Sequence, residues 1–171
     1  MEIWANVIGV IAVVLFVLSY QIKNRRGIIV CNAASRVLFV VQYLMLGAFA
    51  GALLDVVAFF VSLLCYSRNK GFIKKHTLLV IILSDLIIVA AGLCTYSDIF
   101  SLLPIFGVIF ETLGLWLKSE PKIRLVSFLG APFWLVYNIV CLAYGSAVGN
   151  VITMVSIAVA IIRYDIIGKE K

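Results

Sequence analysis

Long apolar stretches alternate with short polar segments along the whole chain. A transmembrane helix needs about 17–25 mainly apolar residues to cross the hydrocarbon core of a bilayer, and stretches of that order recur throughout. They lie at 3–22, 28–46, 49–67, 77–94, 99–117, 124–143 and 147–164. Glycine pairs stand at the two tightest joins, near 47–51 and 145–149, where glycine can end one helix before the next begins. The pattern predicts an all-α polytopic membrane protein with seven transmembrane helices.

The composition agrees with a lipid environment. Apolar residues make up 64% of the chain and charged residues 13%, against about 45–50% and 25% in soluble domains. The net charge is +6, which in a soluble protein would suggest a nucleic-acid partner. Here the basic residues cluster in the short segments between apolar stretches, so we expect the lipid bilayer, and no nucleic acid, as the partner.

The basic residues also predict an orientation. If the N-terminus lies outside, the polar segments after the first, third and fifth helices face the cytoplasm, as does the C-terminus. These parts of the chain hold Lys23, Arg25, Arg26, Arg68, Lys70, Lys74, Lys75, Lys118, Lys122, Arg124, Arg163, Lys169 and Lys171. Cytoplasmic segments of membrane proteins carry an excess of Lys and Arg. We therefore predict an outside N-terminus and a cytoplasmic C-terminus, whereas six helices would scatter these charges over both faces.

The chain resembles itself when it is shifted by 98 residues. The most specific matches are Gly9 with Gly107, Arg26 with Arg124, Gly47 with Gly145 and Gly51 with Gly149. Self-similarity at a fixed spacing indicates a duplicated unit, and a linker helix would keep two three-helix units parallel. We predict three segments: repeat 1 (1–67), a basic loop with the linker helix (68–97), and repeat 2 with a short tail (98–171). This 3+1+3 layout is that of SWEET-type transporters.

Two stretches of the sequence resemble a known protein family. "IGVIAVVLFVLSYQIKNRRG" (8–27) and "APFWLVYNIVCLAYGSAVGNVITMVSIAVAIIRY" (131–164) resemble the bacterial inner-membrane YgjV family, which implies a multi-pass protein of the inner (plasma) membrane. More distantly, the layout resembles the MtN3/PQ-loop group, which includes sugar uniporters and lysosomal amino-acid exporters. That group has a Pro-Gln pair near the end of the first helix of each repeat. This chain has Tyr20-Gln21 and Lys118-Ser119 there, so the proline kink cannot be carried over.

Charged residues inside apolar stretches are the first candidate site residues. A charge at the centre of a bilayer costs about 2.5–3.5 kcal/mol even on insertion scales. Arg36 lies midway along the second stretch with Asn32 one helical turn before it, and Glu111 lies midway along the fifth. Asp85 and Asp55 are further candidate partners of Arg36. Two interpretations stay open and can coexist: a salt bridge that only fixes packing, or a site for an anionic solute or a coupling proton.

Neutral polar residues complete the candidate site. Trp134, Tyr137 and Asn138 share one face of the sixth stretch, and Asn150 and Thr153 share one face of the seventh. Parallel-repeat transporters build their substrate site near the membrane midplane between the repeats. We therefore predict a substrate-binding role for Asn32, Arg36, Glu111, Trp134, Tyr137, Asn138, Asn150 and Thr153. The alternative is ordinary aromatic packing and interhelical hydrogen bonding.

These observations predict a transporter of a small polar or anionic solute that works by alternating access between the repeats. The alternative is a non-transporting receptor, or a scaffold or partner subunit, on the same fold. No catalytic motif is present, so we expect no enzyme, no cofactor and no metal; assembly into a homo-oligomer stays open. A central water-filled cavity would favour transport, and a packed interior with Arg36 fully paired would favour the alternative.

Overall fold

The computed structural model describes residues 2–166 and is all-helical over that range. The helices are α1 (Glu2–Gln21), α2 (Arg25–Leu46), α3 (Phe49–Tyr66), α4 (Gly71–Lys75), α5 (Thr77–Cys94), α6 (Leu103–Trp116), α7 (Glu120–Val140) and α8 (Tyr144–Ala160). A 3₁₀ turn (Ile99–Leu102) leads into α6, and a π-helical turn (Ile161–Ile166) extends α8. Seven helices in this range are long and apolar enough to cross a membrane, which confirms the predicted number. Lys169 and Lys171 of the predicted cytoplasmic tail lie outside the described residues.

The bundle surrounds a polar centre and presents an apolar exterior. Helix α1 packs on α2 and α8, α6 packs on α7 and α3, and α5 packs at the periphery on α3 and α6. Large side chains such as Leu78 and Leu86 of α5 are exposed. An exposed apolar surface of this kind is what lipid contact requires, because the bilayer solvates apolar side chains and leaves polar ones to the interior.

Three pairs of helix ends in α1–α3 and α6–α8 are 95 residues apart, whereas the sequence match is at 98. The pairs are Gln21 with Trp116, Arg25 with Glu120, and Phe49 with Tyr144. Gly47 ends α2 with φ +72°, whereas Gly145 already lies inside α8, and Leu142 takes the left-handed conformation with φ +59° at the matching turn. The sequence match at 98 therefore pairs glycines that lie about one helical turn apart in the fold. Glycines recur at helix contacts for packing reasons, so they are poor markers of register.

Arg124, predicted to belong to the cytoplasmic segment that precedes the sixth apolar stretch, is buried inside a helix. Helix α7 begins at Glu120, and Arg124 is a buried residue of its first turns. Its guanidinium donates to the carbonyls of Tyr20 (3.2 Å) and Ile22 (3.3 Å) and pairs with Asp165 (2.7 Å). The last carbonyls of a helix have no partner within the helix, and a cation there is also favoured by the helix dipole. Arg124 is therefore a cap for the end of α1.

Two more arginines cap α6 in the same manner. Arg25 donates to the carbonyls of Leu115 (2.8 Å) and Leu117 (2.9 Å), and Arg68 donates to the carbonyl of Trp116. We call the end of the bundle that carries Arg25, Arg68 and Arg124 the basic end. Its three arginines are structural parts of the bundle as well as charges that could orient it.

Gly130 of α7 allows a close approach to α6. A Cβ on Gly130 would lie 2.8 Å from the carbonyl oxygen of Gly107 and 3.2 Å from Cβ of Phe110. Gly130→Ala must therefore separate the two backbones, and we expect it to lower the free energy of unfolding by about 1–3 kcal/mol. Thermal unfolding of the purified protein measures this loss. Gly145→Ala is the milder comparison, because its Cβ would meet nothing closer than 3.2 Å; an equal loss in both variants would contradict the argument.

Candidate functional site

Arg36 lies at the centre of the bundle between two carboxylates. Its Nη1 is 2.6 Å from Asp55 Oδ1 on α3, and its Nη2 is 2.8 Å from Glu111 Oε2 on α6. Its Nε donates to Asn32 Oδ1 at 3.0 Å. All four residues are at most 4% exposed. We call them the central charge cluster.

The local sequence explains how the cluster assembles. Asn32 and Arg36 are four residues apart on α2 and so lie on one helix face. The left-handed turn at Gly47 sends α3 back along α2 and brings Asp55 opposite Arg36. Glu111 reaches the cluster from α6, which lies close to α7 because Gly107 leaves room for the indole of Trp134. The open question of Arg36's partner is thus resolved as Asp55 together with Glu111.

Asp85 is not part of the cluster. It is half-buried on the peripheral helix α5 and forms no ion pair or hydrogen bond with another residue in the described range. Helix α5 packs mainly against α3 and α6, and Asp85 is not among the residues that line the central cavity.

The central charge cluster carries more acid than base. It contains one guanidinium and two carboxylates, and the guanidinium uses only one oxygen of each carboxylate. A buried pair recovers its desolvation cost only when geometry and further hydrogen bonds are good. Arg36 therefore leaves the second oxygen of each carboxylate without an ion pair, and the indole N–H of Trp134 donates a hydrogen bond to Glu111.

A small cavity adjoins the cluster. It offers about 30 Å³ to the centres of water-sized molecules, which is room for one or two waters. Six of the eight predicted binding residues line it: Arg36, Glu111, Trp134, Asn138, Asn150 and Thr153. The structure thus gathers polar side chains from α2, α6, α7 and α8 around one space.

The other two predicted residues lie elsewhere. Asn32 sits behind Arg36 as its hydrogen-bond partner and does not line the cavity. Tyr137 lines a second, larger cavity of about 290 Å³ beside the α2–α3 turn, at the end of the bundle opposite the basic end. The sequence places both residues on the polar face of their helix. It does not distinguish residues that line the central cavity from residues that lie behind them.

An aromatic layer contributes walls to both cavities. Tyr43 and Trp134 stack with ring centroids 6.0 Å apart and planes 11° apart, and the ring of Tyr137 meets both edge-on. The Tyr43 hydroxyl donates to Asn138 Oδ1 at 2.7 Å, and the Gly51 amide donates to the Tyr137 hydroxyl oxygen at 3.0 Å. Stacking and hydrogen bonds together hold the layer in one arrangement.

Asn150 and Thr153 play different parts on α8. With its amide oriented to satisfy both polar atoms, Asn150 donates to the Ser146 carbonyl (2.7 Å) and accepts from the Leu135 amide (2.9 Å). Pro132 lies inside α7 and disturbs its hydrogen-bond ladder there, so Asn150 supports that stretch of backbone. Thr153 lines the cavity and forms no hydrogen bond with another residue of the described chain.

Sequence reasoning left several lining residues out of the candidate site. The sequence predicts Asp55 only as a partner for Arg36, although an acid inside an apolar stretch is itself a signal of a site residue. The remaining lining residues are mainly apolar or aromatic: Val13, Phe16, Phe39, Tyr43 and Ala131. Nothing in an apolar stretch distinguishes such residues from those that face lipid.

Comparison with known proteins identifies the family. The family model Imp-YgjV, described as a bacterial inner membrane protein, matches residues 3–166. No match was found among curated proteins or among solved structures. The match covers all seven apolar helices, the central charge cluster and the cavity. The chain therefore belongs to the Imp-YgjV family and is a multi-pass protein of the bacterial inner membrane.

Proposed function

We propose that this protein transports a small polar solute through the central cavity. The observation that carries the proposal is the central charge cluster, buried at the middle of a membrane protein beside a polar cavity. Ionisable groups inside membranes are costly and mark substrate or ion pathways. An anionic solute fits this cavity less well than a neutral or cationic one, because two carboxylates already neutralise Arg36.

The proposed mechanism is alternating access between two parallel three-helix halves, α1–α3 and α6–α8, with α5 as the linker. Reciprocal hydrogen bonds support this 3+1+3 plan. Gly51 contacts Tyr137, and Ser146 contacts Gln42 at 2.6 Å; the two pairs are related by the same spacing of 95 residues as the helix ends. We propose an outside N-terminus and a cytoplasmic basic end. The likeness to the MtN3/PQ-loop group stays a prediction.

The cavity corresponds to a closed conformation in this mechanism. It is too small for a solute larger than one or two waters. At the basic end, Arg25 and Arg124 tie the two halves to each other through the ends of α6 and α1. Opening towards that side would have to break these contacts, whereas opening towards the other side would have to separate the aromatic layer.

Transport is tested first by finding the solute. Metabolite profiling of a deletion strain, with and without a complementing copy, should reveal a compound whose level depends on the protein. Purified protein in liposomes should then equilibrate or accumulate that compound. We expect Arg36→Ala to abolish uptake and Thr153→Val, which keeps the side-chain shape, to slow it at least tenfold.

The control is Arg26→Ala, which removes an exposed arginine from the same helix and should leave uptake unchanged. All variants are compared as monodisperse, folded protein. Unchanged uptake in both cavity variants would show that the solute does not pass through this cavity.

The alternative function is a receptor or partner subunit without transport. The small cavity and the engagement of Arg36 on three sides favour it. In that case the compound from the metabolite profile would bind the purified protein, or a partner protein would co-purify with it, while liposomes would show no uptake.

A further inference from the structure

We propose that Glu111 is a proton-binding site and that the proposed transport is coupled to its protonation. The inference deepens the proposed function and rests on it for its biological meaning. The binding of the proton itself is a property of the folded protein that can be measured without any solute.

The charge balance of the cluster calls for one more positive charge. Arg36 contributes one positive charge, and Asp55 and Glu111 together contribute two negative charges when ionised. All three side chains are at most 5% exposed, so water cannot compensate the excess. A buried, uncompensated charge is so costly that the group normally neutralises itself. A proton needs no more room than a cavity for one or two waters offers, and the described residues contain no group of three or more His, Cys, Asp or Glu that could hold a metal ion.

No other described cation faces the cluster. Helix α1 presents Tyr20, α2 presents Tyr43, and the cavity-lining residues of α7 and α8 carry no formal charge. Helix α5, which packs on α6, carries Asp85 away from the centre. The 3₁₀ turn before α6 carries Asp98, which caps that turn through the amides of Phe100 and Ser101. The excess negative charge of the cluster is therefore not offset from a neighbouring element.

The position of Glu111 distinguishes it from Asp55. Arg36, Asn32 and Asp55 all belong to α2 and α3, which are joined by a short turn and pack against each other. Glu111 belongs to α6, in the other half. Separation of the halves would break the bond between Arg36 and Glu111 and leave the bond between Arg36 and Asp55 intact. The carboxylate that loses its cation is thus Glu111.

The proton transfer balances as a simple acid–base step. A hydronium ion from the water on one side of the membrane transfers its proton, through a cavity water, to a carboxylate oxygen of Glu111 and becomes water, and the cluster changes from one net negative charge to neutral. The Arg36–Glu111 contact then loses its ionic component, which makes separation of the halves easier. Release of the proton to water on the other side restores the ion pair.

Infrared spectroscopy of the purified protein in lipid tests the site directly. A protonated carboxylic acid has a C=O stretching band distinct from that of a carboxylate. We expect one such band in the wild type that disappears as the pH is raised, and that moves to lower frequency when the protein is labelled with ¹³C-glutamate. Glu111→Gln should remove the band. Asp85→Asn, which removes an intramembrane acid outside the central charge cluster, should leave it unchanged.

Three results would overturn the inference: no protonated band at any pH where the protein is folded, a band that moves only with ¹³C-aspartate, or a band that survives Glu111→Gln. The labelling experiment uses the wild type, so it distinguishes a glutamate from an aspartate even if the variant does not fold, and Glu111 is the one glutamate of the sequence inside an apolar stretch. A protonated Glu111 in a protein that fails every uptake assay would leave the proton site standing and remove the transport proposal. Uptake without a protonated Glu111 would support the transport proposal and rule out the proton site.

Discussion

Arg36→Met is expected to lower the free energy of unfolding by about 3–5 kcal/mol. The substitution removes the cation that touches two buried carboxylates, at 2.6 Å and 2.8 Å, and leaves both acids without a partner of opposite charge. Methionine has a similar length and no charge, so lost packing contributes little. The loss is measured by thermal or denaturant unfolding of the purified protein in detergent.

A charge-neutral variant separates the ionic effect from packing. Arg36→Met combined with Asp55→Asn and Glu111→Gln removes the buried charges together, and we expect it to recover most of the lost stability, because replacing a whole buried ionic group is often neutral. Such strong non-additivity is the mark of directly interacting residues. If the triple variant were less stable than Arg36→Met, the cluster would not be held by charge pairing.

Arg124→Met is expected to cost about 1.5–3 kcal/mol, the range for losing hydrogen bonds to a charged group. It would leave the last carbonyls of α1 without a donor and Asp165 without its ion pair. Lys122→Met is the matched control, because it removes the same charge two residues away from an exposed position. We expect the control to change stability by at most about 0.5 kcal/mol.

The comparison of these two variants separates two roles of the basic end. If both variants altered membrane orientation and neither altered stability, Arg124 would act only as an orientation signal. The structure instead indicates that Arg124 holds the end of α1 and the π-helical turn after α8 together. A loss confined to Arg124→Met would confirm this structural role.

The sequence by itself determined the membrane class, the number of helices and the polar faces of α2, α7 and α8. These properties can be predicted position by position along the chain. Each membrane-spanning helix needs a minimum number of apolar residues, and a charged residue within such a stretch is rare and costly. Arg36 and Glu111 were recognisable for this reason, and the family match agrees with the predicted membrane. None of this requires knowledge of which helices are neighbours.

Only the tertiary structure decided which polar groups meet. Arg36 could have paired with any of three acids, and the choice of Asp55 and Glu111 over Asp85 depends on the rotation and packing of α3, α5 and α6. The sequence did not indicate that Arg124 is buried, because its partners Tyr20 and Asp165 are 104 and 41 residues away along the chain. Such contacts depend on how the helices pack, which in turn depends on close approaches at positions such as Gly107 and Gly130. The hydropathy of the sequence contains no information on this packing.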